Sequence, residues 1–200
     1  MAYDTEFYRL YADYLKETNV REAHDRVFQM VGAGKAFRNV IDLGCGLSEF
    51  YQYTSPRKYV GIDLNAPVAD SKEFRLVPGN YRDVDLVRTE ARKRRSTSFI
   101  SIFSAEITDD VDANRSFYEA LFHAVPTFKT GLVSGFYYER RKHINPVVET
   151  GNIVSWQTLG TMERYASPVF EQVWISLPVP STMFGDDVVE VWRLLKRKTA

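Results

Sequence analysis

An acid and two glycines follow a short apolar run in the segment Val40–Phe50, VIDLGCGLSEF. Gly44 and Gly46 allow the backbone to turn tightly and let a ligand approach the main chain where no Cβ intervenes. A helix is predicted to begin directly afterwards, and its free amide groups would face a polar ligand. Asp42 stands just before the glycines, and its carboxylate would repel a pyrophosphate but attract a cationic ammonium group. The segment therefore predicts a binding site for a ligand that carries a positive charge.

Five short apolar runs predict the strands that would position this turn. They are Val40–Leu43, Tyr59–Leu64, Phe74–Val77, Phe99–Phe103 and Leu132–Tyr138. Most are close to continuously apolar, as strands covered on both faces are. Two helix-like segments separate the last three runs, Arg82–Arg95 and Asp109–Val125. The segment that joins the second run to the third is so short that a single turn or a loop is expected there. This alternation predicts a parallel, doubly wound sheet, in which ligands bind past the carboxyl ends of the strands.

The last third of the chain breaks the alternation. A helix is predicted over Trp156–Ala166, and two apolar runs, Val169–Leu177 and Val188–Leu195, follow it. The prolines and glycine of the segment between these runs suit a loop and not a crossover helix. Two strands joined so directly are expected to be antiparallel neighbours. The predicted fold class is therefore α/β, a doubly wound, mostly parallel seven-stranded sheet with a C-terminal antiparallel hairpin.

Two apolar stripes at helical spacing precede the sheet, one within Thr5–Lys16 and one from Val20 to Val31. They predict a pair of helices that cover the sheet as an N-terminal lid. The chain of 200 residues is 44 % hydrophobic, which suits one globular domain better than two. Residues 1–35 are accordingly expected to form the lid of the same domain that residues 36–200 build.

The segments VIDLGCG and YVGIDLN resemble the class I S-adenosylmethionine-dependent methyltransferases. The first motif of that family is an acid, any residue, Gly, any residue, Gly, and a second acid ends its second strand. Asp63 stands at that second place, 21 residues after Asp42. Ser48 replaces the third glycine often seen in the motif, and Glu49 excludes the G-x-G-x-x-G spacing of nicotinamide-binding domains. The resemblance covers about residues 38–198 as a strand order and implies a single Rossmann-like methyltransferase domain.

The resemblance also implies a cofactor, S-adenosylmethionine, with S-adenosylhomocysteine as its product. The glycine turn would line the methionine end, Asp63 would accept hydrogen bonds from both ribose hydroxyls, and Leu64 would flank the adenine. Further adenine contacts follow the third strand, where Asp83 is an additional candidate, and the residues near the methyl group follow the fourth. The implied contacts are Asp42, Gly44, Cys45, Gly46, Asp63, Leu64, Asn80, Tyr81, Ser104 and Ala105.

The catalytic candidates depend on the acceptor atom. A neutral amine needs no strong base, because orientation supplies much of the barrier reduction. An oxygen acceptor would need a group that removes its proton, and Glu106, after the fourth strand, and His24 are the candidates, with His123 and His143 eligible by residue type. The chain contains no histidine and carboxylate cluster with the spacing of a metal site, so no metal is expected.

Three residues are candidates for contact with the substrate. Tyr11 of the predicted lid would offer its ring to a cation, although it would equally suit the buried stripe of a helix. Tyr137 and Arg140 leave the fifth strand on the side where ligands bind. Arg140 would either hold an anionic group of the substrate or keep a loop soluble.

Composition gives no preference for an anionic partner, because 26 Lys and Arg residues balance 26 Asp and Glu residues. The basic run Arg88–Ser96 would either touch phosphates or form the solvated face of a helix. Cys45 has no internal disulfide partner, and the N-terminal segment is too charged for a signal peptide or a membrane span. A cytoplasmic protein without a membrane partner, either a monomer or a homodimer, is expected.

The sequence thus predicts a methyltransferase that acts on a nitrogen or oxygen of a small molecule. The choice of a small molecule rests on the neutral charge, the aromatic lid and the lack of an appended recognition domain. One alternative is an RNA or protein methyltransferase that docks through Arg88–Arg95. Another is a methyltransferase-like binding subunit that performs no transfer.

Overall fold

A mixed sheet of eight strands forms the centre of the part of the chain that the computed structural model describes, residues 5–46, 48–54, 56–104, 110–138, 164–178 and 188–199. The strands are β1 (Asn39–Leu43), β2 (Lys58–Asp63), β3 (Ala69–Asp70), β4 (Phe74–Pro78), β5 (Ser98–Ile102), β6 (Thr130–Tyr138), β7 (Phe170–Pro178) and β8 (Val188–Arg197). Their order is β3-β4-β2-β1-β5-β6-β8-β7. Strands β4, β2, β1, β5 and β6 are parallel, as the apolar runs predict.

The apolar runs form the central strands because both faces of those strands are covered. All five residues of β5 are buried, as are four of the five in β1. Neighbouring residues point to opposite faces, so Val40 joins one hydrophobic core and Ile41 the other. Across the strands, Val40 is in register with Tyr59 of β2 and Ser98 of β5.

Strand β3 adds one strand to the seven that the sequence predicts. The connection from β2 to β4 is too short for a helix that crosses the sheet, so it runs as a loop and then pairs with β4. Asp70 lies antiparallel to Arg75, and the turn between them is closed by Ser71, whose hydroxyl accepts a hydrogen bond from the Phe74 amide at 3.0 Å. The expected loop therefore contains a two-residue strand.

The C-terminal hairpin is confirmed. Strand β8 lies between β6 and β7 and is antiparallel to both, so that Arg193 is opposite Val133 on one side and Trp174 on the other. The loop predicted between β7 and β8 lies outside the described residues, as does most of the helix predicted over Trp156–Ala166. Residues 164 and 165 form a short 3-10 turn.

The helices cover the two faces of the sheet. They are α1 (Thr5–Tyr14), α2 (Thr18–Met30), α3 (Ala33–Ala36), α4 (Glu49–Thr54), α5 (Val84–Arg94) and α6 (Val111–Ala124). Helices α1 to α4 pack on one face and α5 and α6 on the other. Asp83 and Asp110 cap α5 and α6 by accepting hydrogen bonds from backbone amides of the first turn. Among the described helices, none has both the length and the apolar character needed to cross a membrane.

Candidate functional site

The glycine turn joins β1 to α4 at the carboxyl edge of the sheet. Gly44 has φ +71° and Gly46 has φ +43°, conformations that favour glycine. The turn is tied to the neighbouring strand because the amides of Gly44 and Cys45 both donate to the carbonyl of Ile62, at 2.7 and 3.2 Å. Ser48, which replaces a third glycine, also has a positive φ of +56°. The backbone thus keeps a glycine-like conformation at that position despite the side chain.

The turn has no room for a side chain at Gly44. A Cβ there would lie 2.4 Å from Ser104 Cβ and 3.2 Å from a ring carbon of Tyr81. Ser104 Oγ donates to the Gly44 carbonyl at 2.7 Å, and the Tyr81 hydroxyl donates to the Ser104 carbonyl at 2.8 Å. The structure therefore brings together Gly44, Tyr81 and Ser104, three of the residues implied as cofactor contacts.

Cys45 fills the space beneath the turn. Its side chain is buried and packs against Gly61 of β2, where a Cβ would approach its sulfur to 2.6 Å. Burial raises the pKa of the Cys45 thiol well above its usual range, so the group stays protonated. The side chain of Cys45 has a packing role, and a ligand would contact this residue through its backbone.

Asp42, at the end of β1, is almost completely buried. Its Oδ2 accepts a hydrogen bond from the hydroxyl of Tyr59 at 2.6 Å. Burial raises the pKa of Asp42 to about 7, although this hydrogen bond opposes the rise, and the carboxylates of Glu49 and Asp63 add to it. The acid before the glycines therefore titrates near neutral pH, and a nearby cation would favour its ionised form.

Asp63 connects the end of β2 to the glycine turn. Its Oδ2 accepts from the Gly46 amide at 3.2 Å, and its Oδ1 accepts from the Asn65 amide at 2.9 Å. A carboxylate has about four acceptor positions, so both oxygens retain the capacity to bind ligand hydroxyls. Leu64, next in the chain, leaves 51 % of its surface exposed. A polar acceptor beside an exposed apolar side chain fits a ribose that is attached to a purine.

Asn80 and Tyr81 follow β4 at the same edge. Asn80 is exposed, and its Oδ1 accepts from the backbone amide of Arg82 at 3.0 Å. Asp83, the additional adenine candidate, instead uses its carboxylate to cap α5. The side chain of Asp83 is therefore engaged in holding the helix.

Several predicted site residues are not described. Ala105, Glu106 and Arg140 lie outside the described residues. Tyr137 lies in β6, where only its backbone is described. Their proposed contacts with cofactor or substrate stay predictions.

Within the described ranges there is no group of three or more His, Cys, Asp or Glu residues arranged to hold a metal ion.

His24 occupies a position that the sequence does not predict. It is completely buried, and its Nδ1 lies 2.5 Å from Glu49 Oε1 while its Nε2 lies 3.0 Å from Glu190 Oε2. Both ring nitrogens are thus engaged by carboxylates. This arrangement favours a role in positioning Glu49 over the general-base role. Tyr11 belongs to the same group, because its hydroxyl donates to Glu49 Oε2 at 3.2 Å.

Sequence reasoning missed Glu49, Glu190 and Tyr59 as members of the site. Glu190 could have been noticed, because an acid inside the apolar run VVEVW is buried if that run forms a strand covered on both faces. Its exposure is 1 %. Tyr59 and Glu49 have no comparable signal, since their partners are set by the packing of distant elements.

Comparisons with known proteins identify the fold. No protein-family model and no curated protein matches the sequence. Among solved structures, the N-methyltransferase NodS from Bradyrhizobium japonicum WM9, in complex with S-adenosylhomocysteine, matches with a TM-score of 0.58 at 10 % identity, covering 98 % of this chain and 100 % of that chain. A SAM-dependent methyltransferase from Anabaena variabilis ATCC 29413 matches with a TM-score of 0.52 at 12 % identity, covering 99 % and 98 %.

A third structure agrees with these two. A cyclopropane-fatty-acyl-phospholipid synthase-like protein from Lactobacillus casei ATCC 334 matches with a TM-score of 0.58 at 11 % identity, covering 89 % of this chain and 91 % of that chain. The chain therefore has the fold of the class I S-adenosylmethionine-dependent methyltransferases. At these identities the likeness shows the fold alone, because one fold can carry many functions.

Proposed function

We propose that this chain is an S-adenosylmethionine-dependent methyltransferase that acts on a nitrogen or oxygen of a small molecule. The observation that supports this most is the pairing of Asp63 with the glycine turn at the carboxyl edge of the sheet, beside the exposed Leu64. The same fold carries S-adenosylhomocysteine in NodS. A cofactor with an ammonium group, a ribose and a purine has a chemically suitable partner for each part along this edge.

Different residues of the site would bind different parts of the cofactor. Asp42 and the glycine turn would hold the methionine end, where the ionised carboxyl of Asp42 attracts the ammonium group. Asp63 would accept the ribose hydroxyls, and Leu64, with Asn80 and Tyr81 beyond it, would flank the adenine. When bound, S-adenosylmethionine supplies an electrophilic methyl group: the acceptor forms the new bond to carbon while the carbon–sulfur electron pair stays on sulfur.

The contribution of the protein is mainly orientation. Ser104 and Tyr81 brace the turn at Gly44, and Cys45 packs it against β2, so the amides of the turn keep fixed directions. Such a preformed surface reduces the entropy lost when reactants are held in line. An oxygen acceptor would also require proton removal, which we assign to Glu106. Tyr137 and Arg140 stay candidates for contact with the acceptor.

The basic face of α5 gives little support to the alternative of an RNA substrate. Arg88 pairs with Asp85 at 2.8 Å, Lys93 pairs with Glu90 at 2.6 Å, and Arg94 pairs with Asp70. A phosphate backbone would compete with these carboxylates for the same cations. Retention of RNA that falls with salt, and falls further when Arg92–Arg95 are neutralised, would favour the RNA alternative instead.

Transfer of a labelled methyl group tests the proposal. Purified protein would be incubated with S-adenosylmethionine labelled in its methyl group and with pools of small amines, phenols and carboxylic acids. We expect label to reach an acceptor, with a rate that falls at least about 100-fold in Asp63→Ala, equivalent to about 2.7 kcal/mol. Asp25→Ala changes an exposed aspartate of α2 and serves as the control.

Two other results of the methyl-transfer assay would lead to different conclusions. Equal rates in wild type and Asp63→Ala would contradict the assignment of the site. Binding of the cofactor without transfer to any acceptor would favour the alternative of a non-catalytic binding subunit.

A further inference from the structure

A chain of hydrogen bonds runs beneath the N-terminal helices, beside the proposed cofactor site. It leads from Tyr11 through Glu49 and His24 to Glu190, and ends at Trp192, whose Nε1 donates to Glu190 Oε2 at 3.0 Å. We call these five residues the acidic chain. It joins α1, α2 and α4 to strand β8, which β5 and β6 separate from β1 in the sheet.

The acidic chain is poor in positive charge. His24, Glu49 and Glu190 are 0 %, 6 % and 1 % exposed, so solvent screens their charges very little. Among the described ion pairs, His24 is the sole partner of both carboxylates. Burial raises the pKa of Glu190 to about 8, because it disfavours the ionised form of this carboxyl group. His24 is thus the one basic side chain of the acidic chain, and it lies between two carboxyl groups.

Tyr11 is the member of the acidic chain that packs beside the end of β5. It is half-buried, and its ring meets Phe103 edge to face with 6.1 Å between the centroids. Phe103 directly precedes Ser104, whose hydroxyl holds the carbonyl of Gly44. The other four members are buried, so the phenol hydroxyl of Tyr11 is the polar group of the acidic chain that is most open to a ligand.

The hydroxyl of Tyr11 is polarised by its partner. It donates to Glu49, and burial together with the carboxylates of Glu49 and Glu190 raises the pKa of Tyr11 well above its ordinary value. The group stays a phenol at neutral pH, and a hydroxyl that donates to a carboxylate becomes a better acceptor for an N–H group. Its preferred partner is a donor with positive charge.

Aromatic rings surround His24 of the acidic chain. The rings of Trp192, Phe103 and Tyr14 lie 5.1, 6.0 and 6.4 Å from the ring of His24. Aromatic faces attract cations, and they keep the local dielectric constant low, which strengthens the influence of the carboxylates. Arg82 is a cation near the same edge of the sheet, but it lies against Phe117 and donates to Asn114 of α6.

We propose that Tyr11 contacts the methyl acceptor and that the acidic chain behind it selects an amine over a carboxylate. The proposal rests on the methyltransferase function proposed above and narrows its substrate class. A neutral amine that takes the methyl group through its lone pair becomes an ammonium ion and then loses an N–H proton to water. This positive charge develops beside the two carboxyl groups of the acidic chain, which share one imidazole. A carboxylate acceptor would add a further acidic group beside Glu49 and Glu190, which already share His24 as their one basic partner among the described ion pairs.

Three probes with one carbon skeleton test the charge preference. Benzylammonium, benzyl alcohol and benzoate would be titrated into the full chain by NMR, with and without saturating S-adenosylhomocysteine. We expect benzylammonium to bind at least about ten-fold more tightly than benzoate, since like charges placed together cost several kcal/mol. Benzyl alcohol is expected to lie between them.

Substitutions in the acidic chain test whether it causes the preference for benzylammonium over benzoate. Glu49→Gln should reduce the ratio of the two affinities about ten-fold, and Tyr11→Phe should weaken benzylammonium several-fold while leaving the affinity for S-adenosylhomocysteine unchanged. Glu22→Gln, on the exposed face of α2, should change neither quantity. Thermal denaturation establishes whether each variant is folded. If Glu49→Gln does not fold, the result for Tyr11→Phe alone tests the proposal.

The proposal is overturned if benzoate binds as tightly as benzylammonium, if benzylammonium does not bind, or if folded Tyr11→Phe binds it like wild type. A preference for benzoate would favour the anionic acceptor envisaged for Arg140. Failure of S-adenosylhomocysteine to bind the wild type would instead overturn the methyltransferase proposal. The two failures are distinguishable, because the preference among the three probes is also measured without S-adenosylhomocysteine.

Discussion

At the scale of single residues, Gly44 is the position at which the candidate site tolerates the least change. Its φ is +71°, and a Cβ at this position would lie 2.4 Å from Ser104 Cβ, so both the backbone conformation and the available space oppose a side chain. We expect Gly44→Ala to lower the free energy of unfolding by about 1–3 kcal/mol. Urea denaturation followed by circular dichroism measures the change.

Gly34 offers a matched control for that substitution. It lies in α3, and a Cβ there would meet no atom within 4 Å. Gly34→Ala should be neutral or should stabilise the protein by up to about 1 kcal/mol, because alanine restricts the unfolded chain. Equal losses of stability in the two variants would contradict the account of the turn.

Asp42 predicts how stability depends on pH. Its pKa in the folded protein is about 7, above the ordinary value of 3.8, so the folded state binds a proton more readily than the unfolded state does. The free energy of unfolding should therefore fall as pH rises from about 4 to about 7, by up to a few kcal/mol from this group.

Asp42→Asn isolates this effect, since asparagine still accepts the hydrogen bond from Tyr59 but does not titrate. The difference in stability between the variant and wild type should be small near pH 4 and should grow in favour of the variant up to pH 7. A difference that is independent of pH would contradict the assignment. Glu190 titrates in both proteins and cancels from the comparison.

At the scale of elements, His24 joins helix α2 to both α4 and β8. Its replacement by alanine leaves Glu49 and Glu190 buried without their shared partner. We expect His24→Ala to cost about 3–5 kcal/mol, because it removes a buried ring and leaves two buried carboxyl groups without a hydrogen-bond partner that they share. Chemical denaturation measures this loss.

A double-mutant cycle separates the contact from other effects of the substitution. In combination with Glu190→Gln, the two losses should be non-additive by about 1–3 kcal/mol, because the variants share one interaction. In combination with Glu22→Gln, on the exposed face of α2, the losses should add. Additivity in both cycles would show that the contact between His24 and Glu190 does not couple α2 to β8.

The elements themselves were largely predictable from the sequence. The five parallel strands and the C-terminal hairpin follow from local signals, namely continuous apolar runs and the turn residues between them. Strand β3 was not predicted, because Ala69–Asp70 is held by its pairing with β4 and not by its own residue pattern. The same distinction applies to Asp83, whose capping role depends on where α5 begins.

At the scale of the whole molecule, the residues at the carboxyl edge of the sheet are easier to place from the sequence than those of the acidic chain. Asp42, the glycines and Asp63 are read from two short motifs, each at the end of its own strand. His24 and Glu190 are 166 residues apart, and only the packing of α2 over the C-terminal hairpin brings them together. Such contacts leave no periodic pattern in the chain, although a glutamate within an apolar strand indicates that a buried partner exists.

The central claim is that the carboxyl edge of this sheet binds the methyltransferase cofactor. Calorimetric titration with S-adenosylhomocysteine tests it most directly, in wild type, Asp63→Ala and the surface control Asp25→Ala. We expect micromolar affinity, about −8 kcal/mol, for wild type and control, and binding at least about 100-fold weaker for Asp63→Ala. Absence of heat and of thermal stabilisation in the wild type, or equal binding by all three proteins, would contradict it.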